Sequence, residues 1–302
     1  MSRVQYAIKG LLYALPLLFL TIFFFYPLLT IFTISLAPQG QFNLEGLRKL
    51  VSTSYYARTL WFTVWQAAVS TALTVLLALP GAYVFARYRF PGKGLLQALT
   101  TIPFVMPTIV VAAAFTSLLG PQGRLNLFLM DLLALEKPPI RLQHTIWIIL
   151  LAHVFYNYTV VLRIVGGFWA NLNPRLEEAA RVLGAGRWQA LREVTLPLLM
   201  PALSAAALLV FIFCFTSFGV ILILGGGHYA TLEVEIYYRT VYLPNLPLAA
   251  TLALVQILIT FGLMSAYTRV QTRLSVPRTL RPRQVTQRRP YGLREWGLVA
   301  GS

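Results

Sequence analysis

The sequence predicts an all-α membrane protein with six membrane-spanning helices, and three observations support this class. Of the 302 residues, 58% are hydrophobic and only 11% are charged, whereas soluble domains carry about 25% charged residues. Apolar runs close to the ~20 residues that cross a bilayer recur along the chain. The 25 basic residues outnumber the nine acids, for a formal net charge of +16, and they fall mainly on one side of the membrane when these runs alternate in direction.

The apolar runs give the predicted spans. The first run is longer than the apolar region of a signal peptide, about 7–15 residues, and has no evident small-residue cleavage site, so we expect it to be retained. Residues 1–10 precede the transmembrane domain, 11–270, as a cytoplasmic N-terminus, and residues 271–302 follow it as a basic tail that we expect to be disordered. The six spans are Leu11–Leu36, Leu60–Ala86, Leu95–Leu119, Thr145–Gly167, Leu198–Leu224 and Pro247–Val270.

The charge distribution predicts the orientation. A cytoplasmic N-terminus puts 18 basic residues on the cytoplasmic side and 7 outside, which follows the positive-inside rule and places both termini in the cytoplasm. We therefore interpret the basic excess as a signal of the topology of a multi-pass membrane protein, in contact with lipid, and we do not expect the protein to bind nucleic acid. The single cysteine, Cys214, lies in the fifth span, so neither an internal disulfide nor a thiolate metal site is expected.

A polar, patterned segment, "NPRLEEAARVLGAGRWQALREVTLP", occupies residues 173–197 between the fourth and fifth spans. Asn173 followed by Pro174 is typical of a helix start, and Gly184 is typical of a helix stop. The segment therefore predicts a short amphipathic helix with one small apolar face. The residues of that face, spaced i, i+3, i+4 and i+7, are Leu176, Ala179, Ala180 and Leu183.

A second turn is predicted after Gly186, with Trp188, Leu191 and Val194 on a shared face. Leu196-Pro197 is predicted to end this turn and to start the fifth span. Composition alone leaves two interpretations of the whole segment open. It could lie on the lipid headgroups by its apolar face, or it could dock into a partner protein.

The spacing of Glu178-Ala179-Ala180, Gly184, Val194 and Leu196-Pro197 resembles the EAA loop of ABC importer permeases. The consensus of that loop is E-A-A, three residues, G, nine residues, I, one residue, L-P, and only Val194 departs from it, conservatively. Stretches on either side, such as "RYRFPGKGLLQALTTIPFVMPTIVVA", resemble the thiamine and ferric-iron importer permeases. The similarity covers about residues 55–275.

The resemblance implies the fold of a type I ABC importer permease and a division of labour between subunits. Two permease subunits, the same chain or a related one, or two halves of a fused chain, would form the pathway, and each EAA loop would dock into a groove of a cytoplasmic ATPase dimer. A periplasmic or lipid-anchored binding protein would deliver the solute. Glu178 would make a polar contact with the ATPase, and Gly184 would form the bend between two short helices. The residues implied in ATPase coupling are Leu176, Glu178, Ala179, Ala180, Leu183, Gly184, Trp188, Leu196 and Pro197.

The energy source is expected to lie outside this chain. A nucleotide-binding P-loop requires G-x-x-x-x-G-K-[ST], and that sequence does not occur here. The chain is therefore expected to be a transport subunit and not an enzyme, and to bind no cofactor itself. ATP and Mg²⁺ would be used by the partner ATPase.

An ion-coupled secondary transporter or channel is the alternative class. Such proteins generally place ionisable groups at membrane depth, whereas all nine acids of this chain fall in predicted loops or the tail, and His153 is the one ionisable residue predicted deep in a span. A membrane enzyme is a third class, for which neither paired carboxylates nor a nucleophile constellation is present.

Polar residues inside the spans are the candidates for the pathway. Each of them could instead hydrogen-bond between helices, which is common in membrane bundles, and for any single one we favour that role. The candidates are Gln66, Ser70, Thr74, His153, Asn157, Tyr158, Thr216, Ser217 and Gln256. The resemblance points to thiamine or ferric iron as the solute, and polyamine and phosphonate importers stay open.

Overall fold

The computed structural model describes residues 3–37, 40–274 and 290–301, and the regular elements in these ranges are helices. The first half contains α1 (Arg3–Leu20), π1 (Thr21–Phe25), α2 (Tyr26–Leu36), α3 (Glu45–Ser52), α4 (Ser54–Arg87), α5 (Lys93–Val105), α6 (Thr108–Leu119), α7 (Arg124–Leu132) and α8 (Ile146–Ala170). The second half contains α9 (Arg175–Val182), α10 (Arg187–Ala190), π2 (Leu191–Thr195), α11 (Leu196–Phe215), α12 (Gly219–Leu224), α13 (Leu232–Tyr237), π3 (Tyr238–Tyr242), α14 (Leu246–Leu274) and α15 (Gly292–Ala300).

Five helical segments in the described ranges are long and apolar enough to cross a membrane, and a sixth span results if α5 and the helices after it count as one. This agrees with the predicted all-α class and with the predicted number of spans. The five segments are Leu12–Leu36, Ser54–Arg87, Ile146–Ala170, Arg187–Phe215 and Leu246–Thr272.

The third span is not the continuous helix that the sequence predicts over Leu95–Leu119. The chain bends by 104° between Lys93–Val105 and Thr108–Leu132. Met106 at the bend has an extended backbone, with φ −69° and ψ 138°. The residue before a proline is disfavoured in the helical region, so Pro107 accounts for the break that hydropathy alone does not reveal.

The fifth span also differs from the predicted Leu198–Leu224. Helical structure begins earlier, at Arg187, and runs through π2 into α11. At the end of π2 the Leu196 N–H bonds to the Leu191 carbonyl, which forms a widened helical turn. Pro197 follows directly and has no N–H to donate. The helix then ends at Phe215 and resumes at Gly219. Leu196-Pro197 therefore lies inside one continuous helix and does not separate two elements.

The predicted outward loop between the last two spans contains helical structure of its own, α13 and π3. Thr231, Leu232, Val234 and Glu235 are buried there. The two glutamates of this segment lower its average hydrophobicity, which is why the sequence alone predicts a loop.

The chain divides into two compact units. The first unit is Met1–Trp61 with Thr231–Ile259, and the second is Phe62–Ala230 with Thr260–Ser302. In the second unit α8 packs against α11, α5 and α12. Small buried side chains, Ala202, Ala205 and Ala206 of α11, are typical of helix pairs that approach closely in membranes.

The predicted tail is described only in part. Residues 275–289 lie outside the described ranges, while α14 continues to Leu274 and α15 occupies Gly292–Ala300. Residues 1 and 2 of the predicted N-terminal segment lie outside them too.

Candidate coupling loop and candidate pathway residues

The first helix of the polar segment, α9, has the start and stop that the sequence predicts. The Asn173 side-chain oxygen accepts a hydrogen bond from the Arg175 N–H at 3.2 Å. At the other end Gly184 has φ +98°. The Gly184 N–H bonds to the Arg181 carbonyl and the Ala185 N–H to the Ala180 carbonyl, both at 3.1 Å. This pair of bonds is the Schellman motif, in which a residue with positive φ ends the helix.

Several large apolar side chains of the polar segment are exposed, whereas Leu191 and Val194 of the predicted second face are half-buried. Leu183 is 88% exposed, Val182 86%, Trp188 73% and Leu176 47%. Single exposed apolar residues are ordinary, but a contiguous apolar patch with polar surroundings marks an interaction surface. Ala179 is exposed as well, and Ala180 is half-buried.

The two glutamates of α9 have different surroundings. Glu178 is exposed, and its carboxylate has no hydrogen-bond or ion-pair partner among the residues that the structure describes. Glu177 is held by the end of the second span, with the Arg87 Nη2 at 3.4 Å, and by the Thr195 hydroxyl at 3.5 Å. Sequence reasoning missed this anchor, although Arg87 as the last residue of a span is a signal that could have suggested it.

Leu196 and Pro197, the last two residues implied in coupling, lie in the first turn of α11. Leu196 is 37% exposed, and Pro197 is exposed too. Both follow π2 within the continuous helix that carries the fifth span.

Three pathway candidates meet at a buried imidazole in the second unit. The His153 Nδ1 lies 2.9 Å from the Ser70 hydroxyl oxygen, and its Nε2 lies 2.9 Å from the Ser217 hydroxyl oxygen. A neutral imidazole donates through one ring nitrogen and accepts through the other, so both hydroxyls have a partner. His153 thus joins α4, α8 and the break in the fifth span.

Gln66 and Asn157 contact the same break. The Gln66 amide donates to the Cys214 carbonyl at 2.9 Å, one of the carbonyls that lose their helical partner where a helix ends. The Asn157 amide donates to the His153 carbonyl at 2.9 Å and approaches the Cys214 sulfur at 3.5 Å. We call Gln66, Ser70, His153, Asn157 and Ser217 the buried polar set.

The other candidates in the second unit do not join this set. The Thr74 hydroxyl donates to the Ser70 carbonyl, and the Thr216 hydroxyl to the Ile212 carbonyl, each within its own helix. The Tyr158 hydroxyl lies against Gly81 and leaves no space for a Cβ there.

Gln256 has a partner that the sequence does not predict. Its side-chain nitrogen donates to the Glu233 carboxylate at 2.6 Å. Gln256 lies ten residues into α14, which is ~15 Å along the helix axis, so Glu233 reaches well into the depth of a span. Glu233 thus lies between two spans, as the sequence predicts, but its carboxylate contacts the side chain of a residue within a span. The signal was a pair of glutamates, two apart, in an otherwise apolar stretch.

Glu235, on the same helix, is buried and has strong partners. Its carboxylate accepts from the Arg239 Nε at 2.7 Å and from the Tyr55 hydroxyl at 2.8 Å. Metal-ligating side chains do not form a group of three in the described part of the chain.

These features define a class: a multi-pass, all-helical membrane protein with a short amphipathic segment before a broken fifth span. Residues 75–276, more than half of the chain, match the family of the binding-protein-dependent transport system inner membrane component. The chain belongs to this family and is a permease subunit of an ABC importer in the inner membrane. Membership of this family decides against the ion-coupled class. The positions of the acids no longer decide it, since the Glu233 carboxylate contacts a residue within a span.

Similar proteins fall into two groups by their names. The chain is 29% identical over 263 residues to the putative 2-aminoethylphosphonate transport system permease protein PhnU of Salmonella typhimurium, covering 87% of this chain and 92% of that protein. It is 35% identical over 216 residues to the thiamine transport system permease protein ThiP of Brucella abortus, covering 68% of this chain and 39% of ThiP. For ThiP of Escherichia coli the identity is 34% over 229 residues, 75% of this chain and 42% of that protein.

Among solved structures the chain is similar to a bacterial ABC transporter involved in the import of the acidic polysaccharide alginate. The TM-score is 0.69 at 18% sequence identity, covering 91% of this chain and all of the other. A similarity at this level of identity supports the fold, which is that of type I ABC importer permeases.

Proposed function

We propose that this chain forms part of the solute pathway of its importer, and that residues 173–197 couple it to a cytoplasmic ATPase. The observation that carries the proposal is the exposure of Val182, Leu183 and Trp188 beside a helix end held by Gly184. Leu183 lies seven residues after Leu176, and apolar anchors at this helical spacing are what a groove in a partner protein binds. Glu178, exposed and without a partner in the described chain, supplies a polar contact at the same surface.

The proposal assigns the use of ATP to other subunits. With no P-loop sequence in the chain, ATP and Mg²⁺ bind to an ATPase dimer, and this chain holds no cofactor. The further partners are a periplasmic or lipid-anchored binding protein and a second permease subunit, which is a copy of this chain or a related one.

The proposal also includes the candidate solutes. Thiamine and ferric iron follow from the sequence resemblance, and a thiamine permease is among the relatives. A 2-aminoethylphosphonate permease aligns over more of both chains. Thiamine and 2-aminoethylphosphonate are therefore the two solutes to assay first.

The test replaces an apolar side chain of the coupling loop with a charge. Leu183→Asp should abolish co-purification of the ATPase and ATP-dependent uptake, because an aspartate cannot enter an apolar groove without a partner. Val51→Asp is the matched control, since Val51 is 83% exposed on α3, outside the coupling loop. Normal membrane levels of both variants with unchanged ATPase binding in Leu183→Asp would refute the coupling role.

The predicted orientation is tested by thiol labelling in intact cells. In a Cys214→Ala background, Lys49→Cys should react with an impermeant reagent, and Glu178→Cys should not. Labelling at the second position would place the loop outside, away from any cytoplasmic ATPase.

A further inference from the structure

The acids of the first unit differ in their partners. Glu45 pairs with Lys49 at 3.0 Å, and that hydrogen bond lowers the pKa of the Glu45 carboxyl. Glu235 pairs with Arg239. Glu233 contacts a neutral amide, that of Gln256. No basic side chain lies within 4.0 Å of the Glu233 carboxylate in the ranges that the structure describes.

Glu233 sits where an uncompensated carboxylate is costly. It is half-buried, and its contact with Gln256 places it ~15 Å along α14 from the start of that helix at Leu246. Acids at membrane depth are rare, and they mark solute or ion pathways. A structural acid would be expected to resemble its neighbour Glu235, which is buried between an arginine and a tyrosine hydroxyl.

Gln256 provides a second, independent observation. Its side chain is only 9% exposed, and its carbonyl oxygen Oε1 is buried without a hydrogen-bond partner, while its nitrogen is used by Glu233. Buried polar atoms normally have partners. A carboxylate accepts hydrogen bonds only, and an amide oxygen likewise accepts. The pair therefore presents two kinds of acceptor, the carboxylate and the amide oxygen, and the hydrogen bond that it donates stays within the pair.

A positively charged group with N–H donors fits this arrangement. An ammonium group neutralises the carboxylate and can donate to both the carboxylate and the amide oxygen. We infer that Glu233 and Gln256 form a site within the membrane that recognises an ammonium group of the transported solute. The inference rests on the proposed function, in which this chain lines the pathway.

The test uses a charged probe, so that it does not depend on knowing the solute. Gln256→Cys is made in a Cys214→Ala background, and the assembled transporter is studied in membrane vesicles of its own host. The rates of labelling by 2-aminoethyl methanethiosulfonate, which carries an ammonium, and by the anionic 2-sulfonatoethyl reagent are compared. We expect the ratio of the two rates to favour the ammonium reagent by about tenfold or more, because a carboxylate a few ångströms away attracts a cation strongly outside bulk water.

Further substitutions in the Gln256→Cys variant identify the source of the preference for the ammonium reagent. Adding Glu233→Gln should lower the rate ratio to that of a simple exposed thiol, and adding Glu233→Asp, which keeps the charge, should retain it. Adding Glu45→Gln, at a surface acid with its own lysine, should leave it unchanged. The ratio cancels any change in the reactivity of the thiol itself, because both reagents attack the same group.

Two outcomes would overturn the site. In one, the ratio is the same with and without the Glu233 carboxylate. In the other, the thiol is unreactive towards both reagents even during ATP turnover, which would mean that no solute reaches Glu233. Neither outcome depends on docking of the ATPase at Leu183. Failure of the coupling proposal would appear as unchanged ATPase binding in Leu183→Asp, whatever the labelling gives.

Discussion

The proposed coupling loop, residues 173–197, and the buried polar set have opposite surroundings. The loop is polar in sequence, yet its apolar residues Leu183 and Trp188 are exposed. The polar set comes from apolar spans, yet its members His153, Ser70 and Gln66 are buried and hydrogen-bonded to one another or to backbone. In each region, the exposure of the side chains is thus the reverse of what the surrounding sequence suggests.

The contrast is between exposed apolar side chains, which nothing in the described chain covers, and buried polar side chains, which are hydrogen-bonded within the chain. Covering exposed apolar side chains with another surface removes them from water and lowers the free energy. Both ring nitrogens of the His153 imidazole already have partners within the chain. His153 with its two serines is therefore better explained as a structural contact at the break in the fifth span. Gln66 Oε1, like Gln256 Oε1, is buried without a hydrogen-bond partner in the described ranges, but only Gln256 lies beside a carboxylate that lacks a basic partner there.

The largest expected effect is at the centre of the polar set. His153→Leu leaves the buried Ser70 hydroxyl and the half-buried Ser217 hydroxyl without their partner, so the free energy of unfolding should fall by about 2–6 kcal/mol, at about 1–3 kcal/mol for each of the two orphaned groups. The measurement is the unfolding temperature of the detergent-purified protein, together with its level in the membrane.

A neighbouring hydroxyl provides the control for this change. Thr216→Val removes a bond to the Ile212 carbonyl of the same helix, so it should cost much less than His153→Leu. A stable His153→Leu variant that loses only transport would reverse the comparison, because His153 would then belong to the solute pathway.

The next effect tests whether the shape of the loop matters. Gly184→Val places a β-branched residue at φ +98°, which should cost the local structure about 1–2 kcal/mol and redirect the chain after α9. We expect ATPase co-purification to be lost while membrane levels stay normal.

Gly186→Val is the matched control for Gly184→Val. Neither glycine has an atom within 4 Å of an added Cβ, but Gly186 has φ −65° and ψ 163°, which valine adopts easily. Equal loss of ATPase binding in both variants would mean that bulk, and not backbone conformation, is responsible.

Local signals account for the parts that the sequence predicts well. The stop at Gly184 depends on one residue and its neighbours in the chain, and the fourth span, predicted as Thr145–Gly167, is a helix over Ile146–Ala170. The exposure of the apolar face of α9 is different, because an amphipathic pattern cannot state whether that face meets its own protein, lipid or a partner.

Non-local contacts account for what the sequence misses. Hydropathy continues through Thr216–Phe218, and the break there involves Gln66 and His153, which lie on other spans. Glu233 counts as a loop residue in any hydropathy average, and only its contact with Gln256 reveals its depth.

A smaller effect is expected where the loop is anchored to the membrane domain. Glu177→Gln removes the ion pair with Arg87. The Glu177 side chain is 32% exposed and the Arg87 side chain 12%, so the free energy of unfolding should fall by roughly 0.5–1 kcal/mol. The expected result is looser attachment of α9, measured as faster amide hydrogen exchange over residues 175–183 with the spans unchanged. Unchanged exchange there would show that Arg87 does not hold the loop.

The smallest effect on the chain itself is expected at Glu178. Its carboxylate is exposed and has no partner in the described ranges, so Glu178→Lys should change the free energy of unfolding by no more than about 0.5 kcal/mol, as for other surface substitutions. If the loop docks through this residue, the same change should nonetheless weaken ATPase binding, because it reverses a charge at the contact. Glu193→Lys makes the same charge reversal at an exposed site on π2 and should bind the ATPase normally. Equal weakening in both variants would assign the effect to the net charge of the loop, and unchanged binding in both would show that the Glu178 carboxylate does not contact the ATPase.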